Sequence, residues 1–366
     1  MKLAYDQQIF VEQEFGGISR YFVELATRMS ARPGCEVSII APFHRNAYLE
    51  DPSVAPLVHG WRIRGRRLLK MHRTLAWANR LGAARYWRRG FDLIHETYFS
   101  LRPSGHATRR VVTVYDMIHE LYPQEVRHAA EVSAAKRAAV ARADHVLCIS
   151  ATTRDDLLRL FGTDPSRCSV VHLGHSLLAD AAPEPAGASV ERPVILFVGL
   201  RKAYKNFAVV AQAFAASERL RRGFDLLAFG GGEFSTRERR QFEELGISAQ
   251  VRHSAGNDQR LAECYRSARL FVYPSGYEGF GLPPLEAMHY GCPVACSHMG
   301  AISEVVGEAG RYFDPASQDE VRAALEAVAF DESLRRAMVR SGHGRAAQFS
   351  WEQCANETAA VYAGLF

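Results

Sequence analysis

The sequence lacks long apolar runs and paired cysteine motifs. Its longest apolar stretches, such as residues 194–200, have only the length of a strand, whereas a helix that spans a membrane needs about 20 apolar residues. The seven cysteines are scattered and none forms a Cys-x-x-Cys pair, so the sequence contains neither a zinc motif nor a disulfide framework. Asp6 interrupts the N-terminal residues before any apolar signal core, and we therefore expect no secretory signal and a cytoplasmic location.

The chain is long enough for two domains. Its 366 residues exceed one ordinary core, and short apolar runs alternate with helix-like segments from end to end, which predicts parallel sheets covered by helices. Residues 177–193 contain three prolines and no periodicity, as is typical of a linker. We expect an α/β fold with two doubly wound, Rossmann-like domains facing a central crevice: residues 1–180, residues 193–348, and a C-terminal helix at 349–366 that crosses back to the first domain. Strands are expected at 2–6, 35–41, 91–95, 110–116, 145–150, 193–199, 224–230, 269–274 and 292–297, and helices at 18–30, 129–142 and 151–161.

Residues 61–90, the basic segment, contain ten arginines or lysines and no acidic residue. The net charge of the whole chain is only +5, so the rest of the chain is net acidic. Apolar residues recur at helical spacing in this segment, and a basic amphipathic helix suits an anionic membrane surface. A solvated helix packed on its own domain is the alternative, and nothing else in the chain resembles a nucleic-acid module. The residues expected to face the membrane are Arg62, Arg64, Arg66, Arg67, Lys70 and Arg73.

The densest chemical motif is at residues 274–294, where three glycines follow a predicted strand and Pro283 and Pro284 begin a predicted helix. Glycines let the backbone approach a ligand, and a helix N-terminus favours an anion. Glu278 and Glu286 flank this helix end, eight positions apart. Two carboxylates that bind hydroxyl groups would suit a sugar and a ribose on either side of a diphosphate. The spacing alone equally allows another interpretation, in which Glu286 only complements the helix dipole and Glu278 is solvated.

Basic residues follow the first predicted strand of the second domain, at residues 198–206. Arg201 and Lys205 lie in a tight strand-to-helix turn, where cations can reach a phosphate above the sheet edge. Such turns often carry surface charges, so the basic residues alone are weak evidence for a phosphate site. The evidence is stronger because Glu278 and Glu286 are expected on the same edge of the sheet.

Two further motifs lie in the first domain. Gly16 and Gly17 precede a predicted helix within residues 15–21, which resemble a phosphate-binding turn but lack the Gly-x-Gly-x-x-Gly pattern. Asp116 ends a predicted strand and His119 follows it one short turn later, so both could orient a donor or an acceptor hydroxyl. A helix cap and an ordinary surface histidine are the alternatives.

Taken together, these motifs resemble the retaining, nucleotide-sugar-dependent glycosyltransferase family 4, which has the GT-B fold. The resemblance rests on Glu278 and Glu286, on the turn at 198–206, on the loop at 15–21 and on residues 300–315, and it extends loosely to the branch that builds bacterial lipopolysaccharide and O-antigen chains. It implies that Arg201 and Lys205 hold the donor diphosphate, that Glu286 accepts from the ribose and that Glu278 binds the donor sugar. It further implies that the donor is contacted by Phe280, Gly281, Leu282 and Gly17, with His253 or Ser254 beside the base.

The chain departs from this family at one position. The family often has His-Asp where this sequence has Tyr115 and Asp116, so the histidine's role is either absent or taken by His119. No acidic pair is placed to hold a metal, so we expect no metal and no cofactor apart from the nucleotide sugar, with GDP-mannose as the first expectation and a UDP-sugar as the second. The expected acceptor is a lipid-linked saccharide at the inner face of the cell membrane. A sugar-nucleotide epimerase and a catalytically silent peripheral membrane scaffold are the alternatives.

Overall fold

The computed structural model describes residues 1–64, 71–175, 192–201 and 203–366. Within these ranges the chain divides into a first unit, Met1–Gly174 with Ser350–Phe366, and a second unit, His175–Phe349. Most of the linker predicted at 177–193 lies outside the described residues, as do Arg66, Arg67 and Lys70 of the basic segment; the side chain of Arg73 is also outside the description.

The first unit is built on a seven-stranded parallel sheet of order β3-β2-β1-β4-β5-β6-β7. Its strands are β1 (Lys2–Tyr5), β2 (Glu36–His44), β3 (Val58–Arg62), β4 (Phe91–Glu96), β5 (Ala107–Val114), β6 (His145–Cys148) and β7 (Cys168–Val170). The five strands predicted in this part of the sequence are present. The short edge strands β3 and β7 were not predicted.

Helices cover this sheet, and their ends follow local sequence signals. They are α1 (Gln8–Glu12), α2 (Gly17–Ser30), α3 (Met71–Trp87), α4 (Ile118–Leu121), α5 (Ala129–Arg142) and α6 (Ala151–Phe161). The Ser150 hydroxyl accepts from the Thr153 N–H to cap α6, and Gly162 ends that helix with a φ of 65°. None of the described helices is long and apolar enough to cross a bilayer.

The second unit repeats the architecture with a six-stranded parallel sheet of order β10-β9-β8-β11-β12-β13. Its strands are β8 (Val194–Val198), β9 (Asp225–Phe229), β10 (Val251–Ser254), β11 (Leu270–Tyr273), β12 (Val294–Ser297) and β13 (Gly310–Phe313). Its helices are α7 (Phe207–Ala216), α8 (Glu218–Gly223), α9 (Thr236–Glu244), α10 (Asp258–Ser267), α11 (Leu282–His289), α12 (Ile302–Val306), α13 (Gln318–Phe330) and α14 (Glu332–Ala346).

The last helix, α15 (Trp351–Ala363), belongs to the first unit. Four of its buried side chains recur at helical spacing along one stripe: Trp351, Ala355, Thr358 and Tyr362. The Tyr362 hydroxyl lies 2.6 Å from Nδ1 of His95, which ends β4 together with Glu96. This contact ties the helix to the centre of the first sheet.

All strand pairings within each sheet are parallel, so the carboxyl ends of the strands share one edge. In the first unit this edge carries Asp116, two residues after β5. In the second unit it carries the turn after β8, the end of β10 and the loop after β11. The sequence motifs therefore lie where open α/β sheets bind ligands.

Candidate active site

The loop after β11 leads directly into the N-terminus of α11. Gly281 precedes the helix with a φ of 131°, a conformation that favours glycine, and prolines follow in the first turn. The first N–H groups of a helix have no intrahelical partner, so this helix end favours an anion. Phe280 is buried and its ring meets the edge of Phe349 at 5.9 Å between centroids, which fixes the loop that leads into Leu282, the first residue of α11.

The backbone of Glu278 is held by the segment after β12. The Ala301 N–H donates to the Glu278 carbonyl at 3.0 Å. Gly300 has a φ of 60°, and a Cβ there would lie 2.7 Å from the Glu278 carbonyl oxygen and 2.9 Å from its nitrogen. Only a residue without a side chain allows this approach, so Gly300 is part of the support of Glu278.

The structure brings Lys205 and Glu278 together. The Lys205 ammonium forms an ion pair with the Glu278 carboxylate. The Gly276 N–H donates to the Tyr204 carbonyl at 2.7 Å, which joins the two loops that carry this pair. The ammonium also lies 5.4 Å from the Tyr204 ring centre and 5.5 Å from that of Tyr273. The two side chains are 16% and 15% exposed, so this cation and this carboxylate are partly accessible at the sheet edge.

Glu286 lies on α11 and is 7% exposed. Its Oε2 atom accepts a hydrogen bond of 3.2 Å from the hydroxyl of Tyr265, which is fully buried on α10. A buried carboxylate needs hydrogen-bond donors, and Tyr265 supplies one from outside the motif. Sequence reasoning missed this tyrosine.

Arg201 has a different environment from Lys205. Its guanidinium donates to Glu238 Oε1 at 2.6 Å and to the carbonyls of Gly230 and Gly232 at 2.9 and 2.8 Å. Burial raises the pKa of Glu238, but hydrogen bonds from Ser235 and Arg201 outweigh it and hold that pKa below its usual value. Arg201 therefore lies on the glycine loop (residues 230–233), and its role in holding the diphosphate stays a prediction.

The two residues predicted beside the base also lie at the glycine loop. His253 Nε2 lies 3.1 Å from the Gly230 carbonyl and its Nδ1 lies 3.4 Å from Glu233 Oε1. The Ser254 carbonyl accepts from the Gly230 N–H at 2.9 Å. The structure thus brings His253, Ser254 and Arg201 to one loop of the second unit.

In the first unit, Asp116 and His119 lie close together after β5. The Asp116 carboxylate accepts from the Ile118 N–H at 3.0 Å, and His119 Nδ1 lies 3.9 Å from the same Oδ1 atom. The preceding Tyr115 is buried and its hydroxyl donates to the Thr97 carbonyl at 2.9 Å. Asp116 therefore acts at least as the cap of a short turn, and its side chain is 33% exposed.

Beneath this turn is a lysine that sequence reasoning did not single out. Lys136 is fully buried on α5, and its ammonium donates to Glu120 Oε2 at 2.7 Å and to the Asp116 carbonyl at 2.8 Å. It also lies 4.0 Å from Asp116 Oδ1. A buried lysine with an acidic partner fixes the turn that carries Asp116, and the alanine-rich sequence around it gives no sign of this role.

Gly17 is the first residue of α2. The preceding Gly16 is extended, and a Cβ there would lie 2.3 Å from the Gln13 side-chain oxygen. That oxygen accepts from the Ser19 N–H at 3.1 Å. The loop thus keeps the start of α2 close to α1, where Gly17 is predicted to meet the donor.

Two family models match the chain in succession. "Glycosyltransferase Family 4" matches residues 15–177 and "Glycosyl transferases group 1" matches residues 180–345.

Curated relatives carry glycosyltransferase names. The O-antigen chain mannosyltransferase B of Escherichia coli is 33% identical over 233 residues, 59% of this chain and 60% of that protein. The MMP alpha-(1->4)-mannosyltransferase of Mycolicibacterium hassiacum is 33% identical over 59% of this chain and 53% of its own. The chain thus matches little more than half the length of these two relatives. A D-inositol 3-phosphate glycosyltransferase of Thermomonospora curvata is 29% identical over 95% of this chain and 90% of its own.

Solved glycosyltransferase structures share the fold along the whole chain. Sucrose-phosphate synthase from Thermosynechococcus elongatus superposes with a TM-score of 0.76 and 21% identity, over 100% of this chain and 99% of its own. WaaG, a glycosyltransferase involved in lipopolysaccharide biosynthesis, superposes with a TM-score of 0.74 and 18% identity, over 98% of this chain and 99% of its own. Anabaena HepE in complex with UDP-glucose superposes with a TM-score of 0.72 and 16% identity, over 100% of both chains. The chain thus has a Glycosyltransferase Family 4 domain in its first unit and a Glycosyl transferases group 1 domain in its second, and it has the GT-B fold.

Proposed function

We propose that the chain is a retaining glycosyltransferase that moves a hexosyl group from a nucleotide-diphosphate sugar to a saccharide acceptor. The observation that carries this proposal is the meeting of Lys205 with Glu278 beside the N-terminus of α11, with Glu286 on the same helix. A cation and a helix end suit a diphosphate, while carboxylates suit the hydroxyl groups on either side of it.

The proposed chemistry follows from where charge develops. As the bond between the sugar carbon and the diphosphate oxygen breaks, negative charge grows on the leaving oxygen. Lys205 and the first N–H groups of α11 stabilise that charge. The acceptor oxygen bonds to the same face of the sugar carbon, and its proton passes to the departing diphosphate. This reaction needs no metal and no further cofactor, because fixed positive groups of the chain take that place.

The carboxylates then have separate roles. Glu286 accepts from the ribose hydroxyls, and Glu278 accepts from the hydroxyls of the donor sugar near the reacting carbon. Asp116 and His119 keep the role that the sequence predicts for them, the orientation of a donor or an acceptor hydroxyl. Arg201, Gly17, His253 and Ser254 keep the donor-contact roles that the family resemblance gives them.

We propose GDP-mannose as the donor, with a UDP-sugar second. Two relatives named mannosyltransferases support the first choice, and a structural neighbour solved with UDP-glucose supports the second. For the acceptor we propose a lipid-linked saccharide of lipopolysaccharide or O-antigen type, in line with the names of one relative and one structural neighbour.

We further propose that the enzyme works at the inner face of the cell membrane. In the first unit, a groove of about 510 Å³ is lined mainly by apolar side chains, among them Phe43 and Trp61. Trp61 and Leu81 at this groove are 64% and 57% exposed. Arg85 also lines it, and Arg88 and Arg89 are exposed on the same segment. Arg62 and Arg64, in contrast, form ion pairs with Glu50, which leaves the arginines beyond them to meet anionic lipid.

A nucleotide titration with matched variants tests the proposal. The thermal unfolding of the wild type, Lys205→Ala and Arg240→Ala is followed with GDP, UDP, ADP and dTDP. Arg240 is the control, because its partner Glu244 lies on the same exposed helix face. A ligand at 100 times its Kd stabilises the native state by roughly 2.7 kcal/mol. We expect a shift for one nucleotide in the wild type and in Arg240→Ala, and its loss in Lys205→Ala. No shift with any nucleotide would instead favour the silent scaffold.

A further inference from the structure

Two buried tyrosines contact the two carboxylates of the proposed donor site. Tyr265 and Tyr273 are 0% and 1% exposed and lie eight positions apart. Glu278 and Glu286 are also eight positions apart. The neighbours are nested: the outer pair is Tyr265, which donates to Glu286, and the inner pair is Tyr273 and Glu278, which both lie against the Lys205 ammonium. Neither tyrosine belongs to the motif from which the site was recognised.

The ring of Tyr265 is held on two sides. It stacks on Tyr290 with the ring planes 10° apart and meets the edge of Phe271 at 5.6 Å between centroids. Its hydroxyl therefore has a fixed direction, and it donates to Glu286 Oε2 at 3.2 Å. Burial, and next the neighbouring Glu286 carboxylate, raise the pKa of Tyr265 well above 10, so the hydroxyl stays a donor at every physiological pH.

Tyr273 ends β11, where it is paired in register with Cys296 of β12. Its ring lies 5.5 Å from the Lys205 ammonium, which forms the ion pair with Glu278. Burial, and next Glu278, raise the pKa of Tyr273 well above 10. The carboxylate of Glu278 is thus held from one side by a strand and from the other by Lys205.

We propose that Tyr265 and Tyr273 are positioning residues that set the two carboxylates separately: Tyr265 aims Glu286 at the nucleoside, and Tyr273 aims Glu278 at the sugar. This inference rests on the proposed function and adds that each tyrosine orients the carboxylate for a different part of the donor. A hydroxyl that donates to one oxygen of a carboxylate restricts its rotation, so the carboxylate meets its ligand already oriented.

Binding measurements alone test whether the two tyrosines affect different parts of the donor. The Kd values of GDP, GDP-mannose, UDP and UDP-glucose are measured by calorimetry for the wild type, Tyr265→Phe and Tyr273→Phe. Tyr312→Phe is the matched control, because its hydroxyl in the same unit donates to the Gly307 carbonyl at 2.5 Å and to no carboxylate of the motif. Each substitution keeps the ring and removes one hydroxyl.

We expect the two tyrosine variants to differ in which ligands they bind more weakly. Tyr265→Phe weakens the free nucleoside diphosphate and its sugar ester alike, by about tenfold, the typical loss of a hydrogen bond to a charged group. Tyr273→Phe leaves the free nucleoside diphosphate within about twofold and weakens the sugar ester by about tenfold. Tyr312→Phe leaves both Kd values as they are in the wild type. A purely structural role would lower both affinities together in every variant.

Two reference variants separate failure of this inference from failure of the proposed function. If Glu286→Gln weakens binding of both the free nucleoside diphosphate and its sugar ester, and Glu278→Gln weakens binding of the sugar ester, while both tyrosine variants bind like the wild type, the inference is wrong and the proposed function stands. If the wild type binds none of the four ligands, or neither glutamate variant changes binding, both are overturned. The double variants Tyr265→Phe/Glu286→Gln and Tyr273→Phe/Glu278→Gln complete the test: each must bind no more weakly than its glutamate variant, because the tyrosine acts only through that carboxylate.

Discussion

Lys205 and Glu278 form an ion pair although they lie 73 positions apart in the chain. Without a ligand, the cation proposed for the diphosphate and the carboxylate proposed for the sugar therefore neutralise each other. An arriving diphosphate competes with Glu278 for the ammonium, and its own negative charge is repelled by that carboxylate. The donor sugar compensates by giving Glu278 hydroxyl partners. We therefore expect the pair to favour a nucleotide that carries its sugar over one that has lost it.

The first prediction is that Glu278→Ala separates nucleotide binding from transfer. Removing the carboxylate frees Lys205 and removes a like charge, so we expect GDP or UDP to bind several-fold more tightly than to the wild type, at roughly 1 kcal/mol for a partly exposed pair. Transfer from the nucleotide sugar should be lost. Calorimetry and a product assay measure the two effects, and weaker nucleotide binding by Glu278→Ala would contradict the competition.

The second prediction concerns Gly300. In Gly300→Ala the new Cβ meets the backbone of Glu278 at under 3.0 Å, at a φ of 60° that favours glycine. We expect a loss of about 1–3 kcal/mol in unfolding free energy and a larger drop in transfer, because Glu278 is displaced. Gly344→Ala on α14 is the control. That glycine has open space around its Cβ position, so the substitution should stabilise the chain by about 0.5–1 kcal/mol. Denaturant unfolding and the transfer assay measure both variants.

The sequence predicts much of the fold because its signals are local. The helices α5 and α6 begin and end at the predicted residues, since Ser150 caps α6 and Gly162 ends it. The strand β3 was missed because its five residues are only partly buried, and its strand structure depends on pairing with β2. The confirmed two-domain α/β fold follows from the alternation of strands and helices, whereas short edge strands depend on their neighbours.

The candidate site was predictable only where its residues form one contiguous motif. Glu278 and Glu286 belong to such a motif, but Tyr265 reaches Glu286 across 21 positions and Lys136 reaches Glu120 across 16. These contacts arise from packing between elements and leave no pattern in a single sequence. The same holds for Arg201: the sequence places it beside Lys205, whereas carbonyls of the glycine loop bind its guanidinium.

The third prediction is a pH dependence that originates at His95. Burial lowers the pKa of His95 from 6.5 to about 3. Between these two values the unfolded chain binds a proton that the folded chain does not, so stability is full above pH 6.5 and falls as the pH decreases. We expect His95→Gln to remove about 1 kcal/mol of the decrease in unfolding free energy between pH 6 and pH 5.

Tryptophan fluorescence during urea unfolding measures this effect in the first unit, because all four tryptophans, at positions 61, 77, 87 and 351, belong to it. The exposed His106 provides the control, and His106→Gln should keep the wild-type slope. Equal slopes for the wild type and His95→Gln would show that His95 is not buried as a neutral ring.

The fourth prediction concerns the groove that contains Trp61. We expect the wild type to bind vesicles that contain phosphatidylglycerol. Trp61→Ala should bind about tenfold more weakly, because an exposed ring no longer enters the interface. The triple variant Arg85→Ala/Arg88→Ala/Arg89→Ala should lose roughly 100-fold in affinity, at about 1 kcal/mol per charge. Leu101→Ala is the control, since Leu101 is 68% exposed in the same unit but lies outside the basic segment. Binding should also weaken at high salt, because the attraction to anionic lipid is screened. Equal binding to vesicles of phosphatidylcholine alone would refute the charge argument, and an unchanged Trp61→Ala would remove the groove from the membrane contact.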